Sequence, residues 1–161
     1  MSAQMQEIHF KHLSINEGLS YNWVHCFLQD QYGFMWIGTD DGLNRYDGTA
    51  FKIYRKDPTN KQSLVSSCIT TLFEDSQNRL WVGTYNGLAL YDRQKDCFIS
   101  QPDWPAFGIT SIVEDEHHIL WIGTTYYIYT IDISGTNILS FHPNLFKPKI
   151  GSISSGIVFK I

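Results

Sequence analysis

Residues 75–92 carry the sequence DSQNRLWVGTYNGLALYD, and the chain contains two further copies of this stretch. Residues 30–47 have DQYGFMWIGTDDGLNRYD, and residues 115–132 have DEHHILWIGTTYYIYTID. The tryptophans of the copies, Trp36, Trp81 and Trp121, are 45 and then 40 residues apart. A period of this length indicates a repeat architecture in which each copy forms one structural unit.

Each copy, with its flanking residues, predicts four short β-strands and no helix. The first strands are VHCFLQ, ITTLFE and ITSIVE, which begin at Val24, Ile69 and Ile109. The second are MWIGT, LWVGT and LWIGT, the third LNRYD, LALYD and IYTID, and the fourth AFKIYR, CFISQ and NILSF. A repeated four-stranded antiparallel unit of this length predicts β-propeller blades. Solenoid repeats are shorter, and sandwiches do not repeat their sequence.

The residues at the turns support this division into strands. Gly33, Asn78 and His118 occupy the same place in the first hairpin, and all three residue types tolerate a positive φ. We therefore interpret His118 as a turn residue and not as a catalytic one. The second hairpin contains the dipeptides Asp41-Gly42, Asn86-Gly87 and Tyr126-Tyr127. The first two are strong hairpin signals, and the third replaces them with two large rings.

The invariant residues of the copies have structural interpretations. Each Trp is expected to fill the space between two sheets, and each Gly to permit their close approach. The structural repeat residues are Trp36, Gly38, Trp81, Gly83, Trp121 and Gly123. The aspartates at the two ends of the copies are expected to form turns by hydrogen bonding to nearby backbone. They are Asp30, Asp75 and Asp115, and Asp47, Asp92 and Asp132.

The repeat resembles the two-component-regulator propeller repeat, a family that builds the periplasmic sensor region of Bacteroides-type hybrid histidine kinase/response regulators. The opening FKHLSINEGLSYNWV (residues 10–24) and the loop RKDPTNKQSLVSS (residues 55–67) are also similar to that family. The resemblance covers roughly residues 8–160. It implies the N-terminal part of a periplasmic sensor region, in a ring of about seven blades.

The whole chain, residues 1–161, is thus predicted to be an incomplete propeller ring. We assign an orphan outer strand and loop to residues 8–20, and three blades to residues 23–67, 68–108 and 109–149. Residues 150–161 are expected to form the first strand of a fourth blade, because Ile153 follows Ile109 by one period. The open edges would expose apolar surface, which predicts self-association, most simply as a dimer.

Composition excludes several classes of protein. With 43% hydrophobic and 17% charged residues, the chain is globular and not disordered. A net charge of −4 argues against binding of nucleic acid. No apolar run has the about 18 residues that would span a membrane, so no membrane contact is expected. The start lacks a signal region, which leaves a cytosolic protein or a signal absent from this sequence.

The cysteines and histidines predict neither a cofactor nor a metal site. Cys26, Cys68 and Cys97 form no CxxC motif and are interpreted as small buried hydrophobes. A disulfide between Cys26 and Cys68 remains an open alternative that spacing does not support. The six histidines, including the adjacent His117 and His118, lack the spacing of metal ligands.

Propeller topology distributes the loops over two faces. One face is expected to carry Tyr21, Asn22, Trp23, Asp40, Asp41, Tyr85, Asn86, Trp104, Phe107, Tyr126 and Tyr127. The opposite face would carry Tyr32, Phe34, Gln77, Asn78, His117 and His118. Aromatic rings beside Asp and Asn suit a carbohydrate, whose C–H faces meet rings and whose hydroxyls meet polar groups. The alternative is that Trp23, Trp104 and Phe107 fill gaps between blades, and that Tyr126-Tyr127 is a modified turn.

The leading hypothesis is a non-enzymatic sensor module that, in its complete form, binds an oligosaccharide, the ligand class that the resemblance implies. Its candidate ligand-binding residues are Tyr21, Asn22, Asp40, Asp41, Tyr85, Asn86, Tyr126 and Tyr127. The alternative is a structural or protein-interaction propeller. A lyase or glycoside hydrolase is less favoured, because hydrolysis needs two carboxylates facing each other. Only Asp40 and Asp41 stand unrepeated on the ligand face, and adjacent residues rarely form such a pair.

Overall fold

The structure, a computed structural model, describes residues 11–135, 137 and 143–146. Within this part of the chain, the strands form three four-stranded antiparallel sheets. Sheet 1 contains β1 (Val24–Gln29), β2 (Met35–Thr39), β3 (Gly42–Tyr46) and β4 (Phe51–Tyr54). Sheet 2 contains β5 (Ile69–Glu74), β6 (Leu80–Thr84), β7 (Gly87–Asp92) and β8 (Cys97–Ile99). Sheet 3 contains β9 (Ile109–Glu114), β10 (Ile119–Thr124), β11 (Ile128–Asp132) and β12 (Pro143–Leu145).

Each sheet is a simple meander, in which spatial order follows chain order. The prediction of an all-β protein built from four-stranded propeller blades is confirmed, and the three inner strands β1, β5 and β9 have the predicted bounds. The last described strand of sheet 3 lies at Pro143–Leu145 and pairs with β11. The predicted strand NILSF (residues 137–141) lies outside the described residues, except for residue 137. Proline is tolerated at this place because β12 is an edge strand.

The two predicted orphan strands have different outcomes. Phe10 lies outside the described residues, and residues 11–13 are not in a strand. Ser14 instead begins a short 3-10 helix, Ile15–Glu17, and forms a capping box with Glu17. The capping bonds satisfy backbone N–H groups locally, without a sheet partner. The strand expected within residues 150–161 lies outside the described residues.

The turns have the predicted conformations. The values of φ are 86° at Gly33, 63° at Asn78 and 60° at His118, so all three residues adopt the left-handed conformation. Asp47 accepts hydrogen bonds from the backbone of Thr49 and Ala50, as expected of a turn-forming aspartate. Equivalent backbone bonds reach the side chains of Asp92 and Asp132.

The core consists of two apolar layers, one on each side of sheet 2. Trp36 lies in the layer between sheets 1 and 2, and Trp81 in the layer between sheets 2 and 3. A Cβ atom at Gly83 would lie 2.8 Å from Cγ2 of Ile109 in the next sheet. The glycine therefore sets how closely the sheets approach, as the repeat predicted.

Within the described residues, no helix has the length and apolar character needed to cross a bilayer.

Candidate functional site

The three hairpins β2–β3, β6–β7 and β10–β11 lie along one face of the molecule. The second and third hairpins are each hydrogen-bonded to the loop before the first strand of their own sheet. Tyr85 donates its backbone N–H to the carbonyl of Cys68 at 3.0 Å, and Thr125 donates to Gly108 at 2.9 Å. The loops before β5 and β9 therefore alternate with the hairpins, and together they form what we call the turn face.

A threonine closes each hairpin in the same way. The hydroxyls of Thr39, Thr84 and Thr124 donate to the carbonyl three residues later at 3.0, 2.8 and 2.9 Å. Each hydroxyl also accepts a backbone N–H from the second residue of the hairpin. Because the threonine fixes the backbone, the side chains between it and the third strand can vary without loss of the turn. The structural repeat thus supports variable residues at its tip.

The aromatic side chains of the turn face fall into two groups. Tyr85 and Tyr126 are 68% and 72% exposed. The rings of Tyr126 and Tyr127 meet the ring of Phe107 edge-on, with centroids 5.7 and 5.5 Å apart. Trp104, by contrast, is buried with its ring 5.4 Å from that of Trp81, so it fills space between sheets.

Tyr21 and Asn22 lie at the sheet 1 end of the described structure. With Ile15, Trp23 and Val24, they line an open depression of about 540 Å³. The side chain of Asn22 is partly engaged, since its Oδ1 accepts the backbone N–H of Ile15 at 3.1 Å. Tyr21 is exposed and available for contact with a ligand.

The two adjacent aspartates of the first hairpin have separate partners. Asp40 Oδ1 lies 2.7 Å from His25 Nε2 and 3.4 Å from Cys68 Sγ. Asp41 Oδ2 accepts from the guanidinium of Arg55 at 3.0 and 3.2 Å. The hydrogen bond from His25 lowers the pKa of Asp40. Burial, with the neighbouring Asp40, raises the pKa of Cys68.

His25 and Cys68 were not among the predicted site residues. They are 15 and 28 residues from Asp40 and come from different blades, so no local spacing joins them. His25 is the extra residue of a β-bulge in β1, because Val24 pairs with Thr39 while Cys26 already pairs with Gly38. A bulge redirects the side chain it carries, and here it directs the imidazole to Asp40.

A second polar cluster lies on the opposite face and contains Ser76, Glu114 and His118. The Ser76 hydroxyl donates to Glu114 Oε1 at 2.6 Å, and His118 Nδ1 lies 2.7 Å from the same oxygen. The serine proton is therefore directed to the carboxylate, and the imidazole uses one nitrogen for both neighbours. This geometry differs from a nucleophile–base–acid relay, in which the two ring nitrogens have different partners.

The Ser76–Glu114 contact is one of two equivalent links between sheets. The backbone N–H of Ser76 donates to Glu114 at 2.7 Å, and the backbone N–H of Gln31 donates to Glu74 at 3.0 Å. Each link joins the first turn of one sheet to the end of the inner strand of the next. The cluster on the opposite face is thus part of the packing between blades.

Comparison with known proteins agrees with this architecture. The family described as two component regulator propeller matches residues 18–41 and 63–86. Histidine kinase P4 of Formosa agariphila is 42% identical over 64 residues, which are 40% of this chain and 5% of that protein.

Solved structures show the same fold. The extracellular domain of a hybrid two-component system from B. thetaiotaomicron aligns with 86% of this chain and 26% of its own, at 22% identity and a TM-score of 0.53. The extracellular domain of a one-component system from the same organism aligns with 68% of this chain and 16% of its own, at 26% identity and a TM-score of 0.60. Virginiamycin B lyase from Staphylococcus aureus aligns with 79% of this chain and 42% of its own, at 19% identity and a TM-score of 0.52.

The chain therefore spans a small part of the length of these relatives. It carries the propeller repeats, and the extracellular domains it resembles belong to signalling systems.

Proposed function

Because the chain belongs to the two-component regulator propeller family, we propose that it is part of the periplasmic ligand-sensing region of a histidine kinase. We propose further that the turn face binds an oligosaccharide. The site residues are those at which the repeated hairpins disagree in sequence, namely Asp40, Asp41, Tyr85, Asn86, Tyr126 and Tyr127, with Tyr21 and Asn22 at the sheet 1 end.

The observation that carries the proposal is the exposure of tyrosine rings along the turn face. Tyr85 and Tyr126 occupy two hairpins in a row and are exposed, while the tryptophans of the first two repeats, Trp36 and Trp81, are completely buried. Exposed rings with polar neighbours offer both C–H contacts and hydrogen bonds to a sugar chain. An extended ligand could contact successive blades because the hairpins alternate with the loops before β5 and β9.

Calorimetric titration with a panel of neutral and acidic oligosaccharides tests this proposal. We expect Tyr85→Ala and Tyr126→Ala each to weaken binding by at least about tenfold, which is 1.4 kcal/mol. Tyr32→Ala is the matched control, because Tyr32 is 62% exposed in the first turn of sheet 1, on the opposite face. Equal loss of affinity in Tyr32→Ala, or no binding by any member of the panel, would contradict the proposal.

We propose that this segment binds its ligand without chemical conversion. Glycoside hydrolysis uses two carboxylates about 5–9.5 Å apart on opposite sides of a bond. Asp40 and Asp41 are adjacent, and each is engaged by a different basic side chain, His25 or Arg55. Incubation with a bound oligosaccharide should therefore release no new reducing ends, and their appearance would favour the hydrolase alternative.

A second proposal is head-to-tail association of copies through the outer sheet faces. Leu72 and Ile112 pack into the layers that precede their sheets, whereas Phe27, at the equivalent place in sheet 1, is 73% exposed. On the far side, Trp121 contacts Phe146 with ring centroids 5.0 Å apart. Among the described residues, no other sheet packs on this face of sheet 3, and because all three sheets derive from one repeat, we expect it to be complementary to the outer face of sheet 1 in another copy.

Sedimentation velocity tests the self-association. We expect dimers or larger species at micromolar concentration, and a shift toward monomer in Phe27→Glu. Tyr32→Glu serves as the control, since Tyr32 is also exposed but lies in a turn and not on a sheet face. A compact monomer of the unchanged chain would contradict this proposal without bearing on oligosaccharide binding.

A further inference from the structure

His25, Asp40 and Cys68 converge at the junction between sheets 1 and 2. Their ligand-type atoms, one imidazole nitrogen, one carboxylate oxygen and one sulfur, all lie within 4.8 Å of one another. His25 comes from the bulge of β1, Asp40 from the β2–β3 hairpin and Cys68 from the loop before β5. From this geometry we infer that the three side chains form a binding site for a divalent transition metal of the zinc type.

The repeat itself provides an internal comparison. The same bulge recurs in β5 and β9, where the extra residues are Thr70 and Thr110. At the junction between sheets 2 and 3, the places of His25, Asp40 and Cys68 are taken by Thr70, Tyr85 and Gly108. A Cβ atom at Gly38 would lie 2.7 Å from Cγ2 of Ile69, and one at Gly83 would lie 2.8 Å from Cγ2 of Ile109, so the two junctions have equivalent packing.

Packing between blades therefore does not require metal-ligating residues at these places. The second junction is formed without them, and Thr70 there donates its hydroxyl to the carbonyl of Ile109 at 2.6 Å. The first junction differs at three positions that are far apart in sequence and close in space. All three differences supply side chains that bind zinc.

Two of the three distances between ligand atoms can be compared with those around a tetrahedral ion, and the third, between His25 and Cys68, is within 4.8 Å. Zinc bonds of about 2.0–2.3 Å to nitrogen, oxygen and sulfur place the ligand atoms about 3.3–3.6 Å apart. The Asp40 to Cys68 distance is already 3.4 Å, and the His25 to Asp40 distance of 2.7 Å must open by about half an ångström. Both side chains of the latter pair are partly exposed and can make this movement.

Three protein ligands leave a fourth coordination position open. Binding displaces the thiol proton of Cys68 to solvent, and the thiolate and carboxylate then balance the two positive charges of the ion. The neighbouring Asp41 does not compete, because its carboxylate is paired with Arg55. The ion would join the two blades and leave its fourth position for water or a ligand group.

Cobalt(II) titration of the chelator-treated chain is the direct test, since cobalt replaces zinc and reports its ligands by absorption. We expect one equivalent to bind, with ligand-field bands in the visible and a thiolate-to-cobalt band in the near ultraviolet. His25→Thr, Asp40→Asn and Cys68→Ser should each weaken binding by at least about tenfold, and Cys68→Ser should lose the thiolate band. His25→Thr installs the residue found at the two equivalent bulges, so it should preserve the fold.

Cys97→Ser is the matched control, because Cys97 lies in β8 at the outer edge of sheet 2 and should leave both the affinity and the thiolate band unchanged. Zinc should also raise the melting temperature of the unchanged chain and of Cys97→Ser, but not that of Asp40→Asn. The inference is overturned if the unchanged chain gives no thiolate band. It is also overturned if the band survives in Cys68→Ser or is lost in Cys97→Ser.

Discussion

Asp75 Oδ2 accepts a hydrogen bond of 2.8 Å from the indole nitrogen of Trp81, six residues further along the chain. The other carboxylate oxygen of Asp75 accepts the backbone N–H groups of Gln77 and Arg79. The same indole bond, also 2.8 Å long, joins Asp30 to Trp36 and Asp115 to Trp121. The constant spacing of these aspartates and tryptophans therefore has one cause. One side chain forms the turn and also anchors the ring that fills the core.

Asp75→Ala should lower the free energy of unfolding by about 3 kcal/mol, because it removes a buried acceptor from an indole and from two backbone donors. The carboxylate also pairs with Arg79 at 2.6 Å, so that ion pair is lost as well. Urea unfolding monitored by tryptophan fluorescence measures the change. Asp115→Ala should lower the free energy of unfolding by less, because Asp115 and Trp121 are less buried than Asp75 and Trp81. Equal losses in the two variants would contradict the extra stabilisation assigned to the burial of Asp75 and to its ion pair with Arg79.

Gly83→Ala should destabilise the chain by about 2 kcal/mol through overpacking. The added methyl group would lie 2.5 Å from Cγ2 of Thr71 and 2.8 Å from Cγ2 of Ile109, so two sheets must move apart. Gly33→Asn is the control, since no heavy atom lies within 4 Å of its Cβ and Asn78 holds the equivalent place at positive φ. We expect that control to change the stability by less than about 1 kcal/mol. If Gly83→Ala leaves the stability unchanged, this glycine does not determine the distance between the sheets.

Most of the fold follows from local sequence patterns that occur in all three copies of the repeat. The inner strands, the positive φ at Asn78 and the packing role of Gly83 each depend on a residue type and its immediate neighbours. The position of β12 did not follow, because the pairing with β11, and not a local pattern, determines which residues form this edge strand. The sequence did not predict the hydrogen bond from Trp81 to Asp75, because a role in the turn already accounted for the conserved spacing of Asp75 in the repeats.

One part of the candidate site follows from the local sequence, and the other depends on tertiary contacts. The turn face could be predicted, since topology alone assigns Tyr85 and Tyr126 to equivalent hairpins. The cluster of His25, Asp40 and Cys68 could not, because it depends on a bulge and on contact between two blades. In the sequence, the cluster is visible only as three positions at which the aligned repeats differ. These differences indicate a site only when the three positions are known to be neighbours in space.

The stability of the chain should fall in acid in part through Asp96. Partial burial opposes ionisation, but hydrogen bonds from Lys52, Tyr54 and Tyr91 lower the pKa of Asp96 to about 2. A lowered pKa in the folded state means that the contribution is complete above the unfolded value of about 3.9 and is lost as the pH falls toward 2. Urea unfolding of the unchanged chain and of Asp96→Asn should therefore differ by a constant amount above about pH 5. The difference should shrink between pH 4 and 2, and a difference independent of pH would contradict this assignment.

Cys26 should resist alkylation in the folded chain. Its side chain covers Gly38, where a Cβ atom would lie 2.6 Å from the sulfur, and burial raises the pKa of the Cys26 thiol to about 12. All three cysteines are free, so neither Cys26 nor Cys68 is held in a disulfide. Because the thiolate is the reactive form, iodoacetamide at pH 8 should modify Cys26 at least about tenfold more slowly than Cys97. Mass spectrometry of timed digests measures both rates, and denaturation in urea should make them equal. Rapid modification of Cys26 in the folded chain would mean that sheets 1 and 2 separate there, which would also remove the close packing on which the junction between them depends.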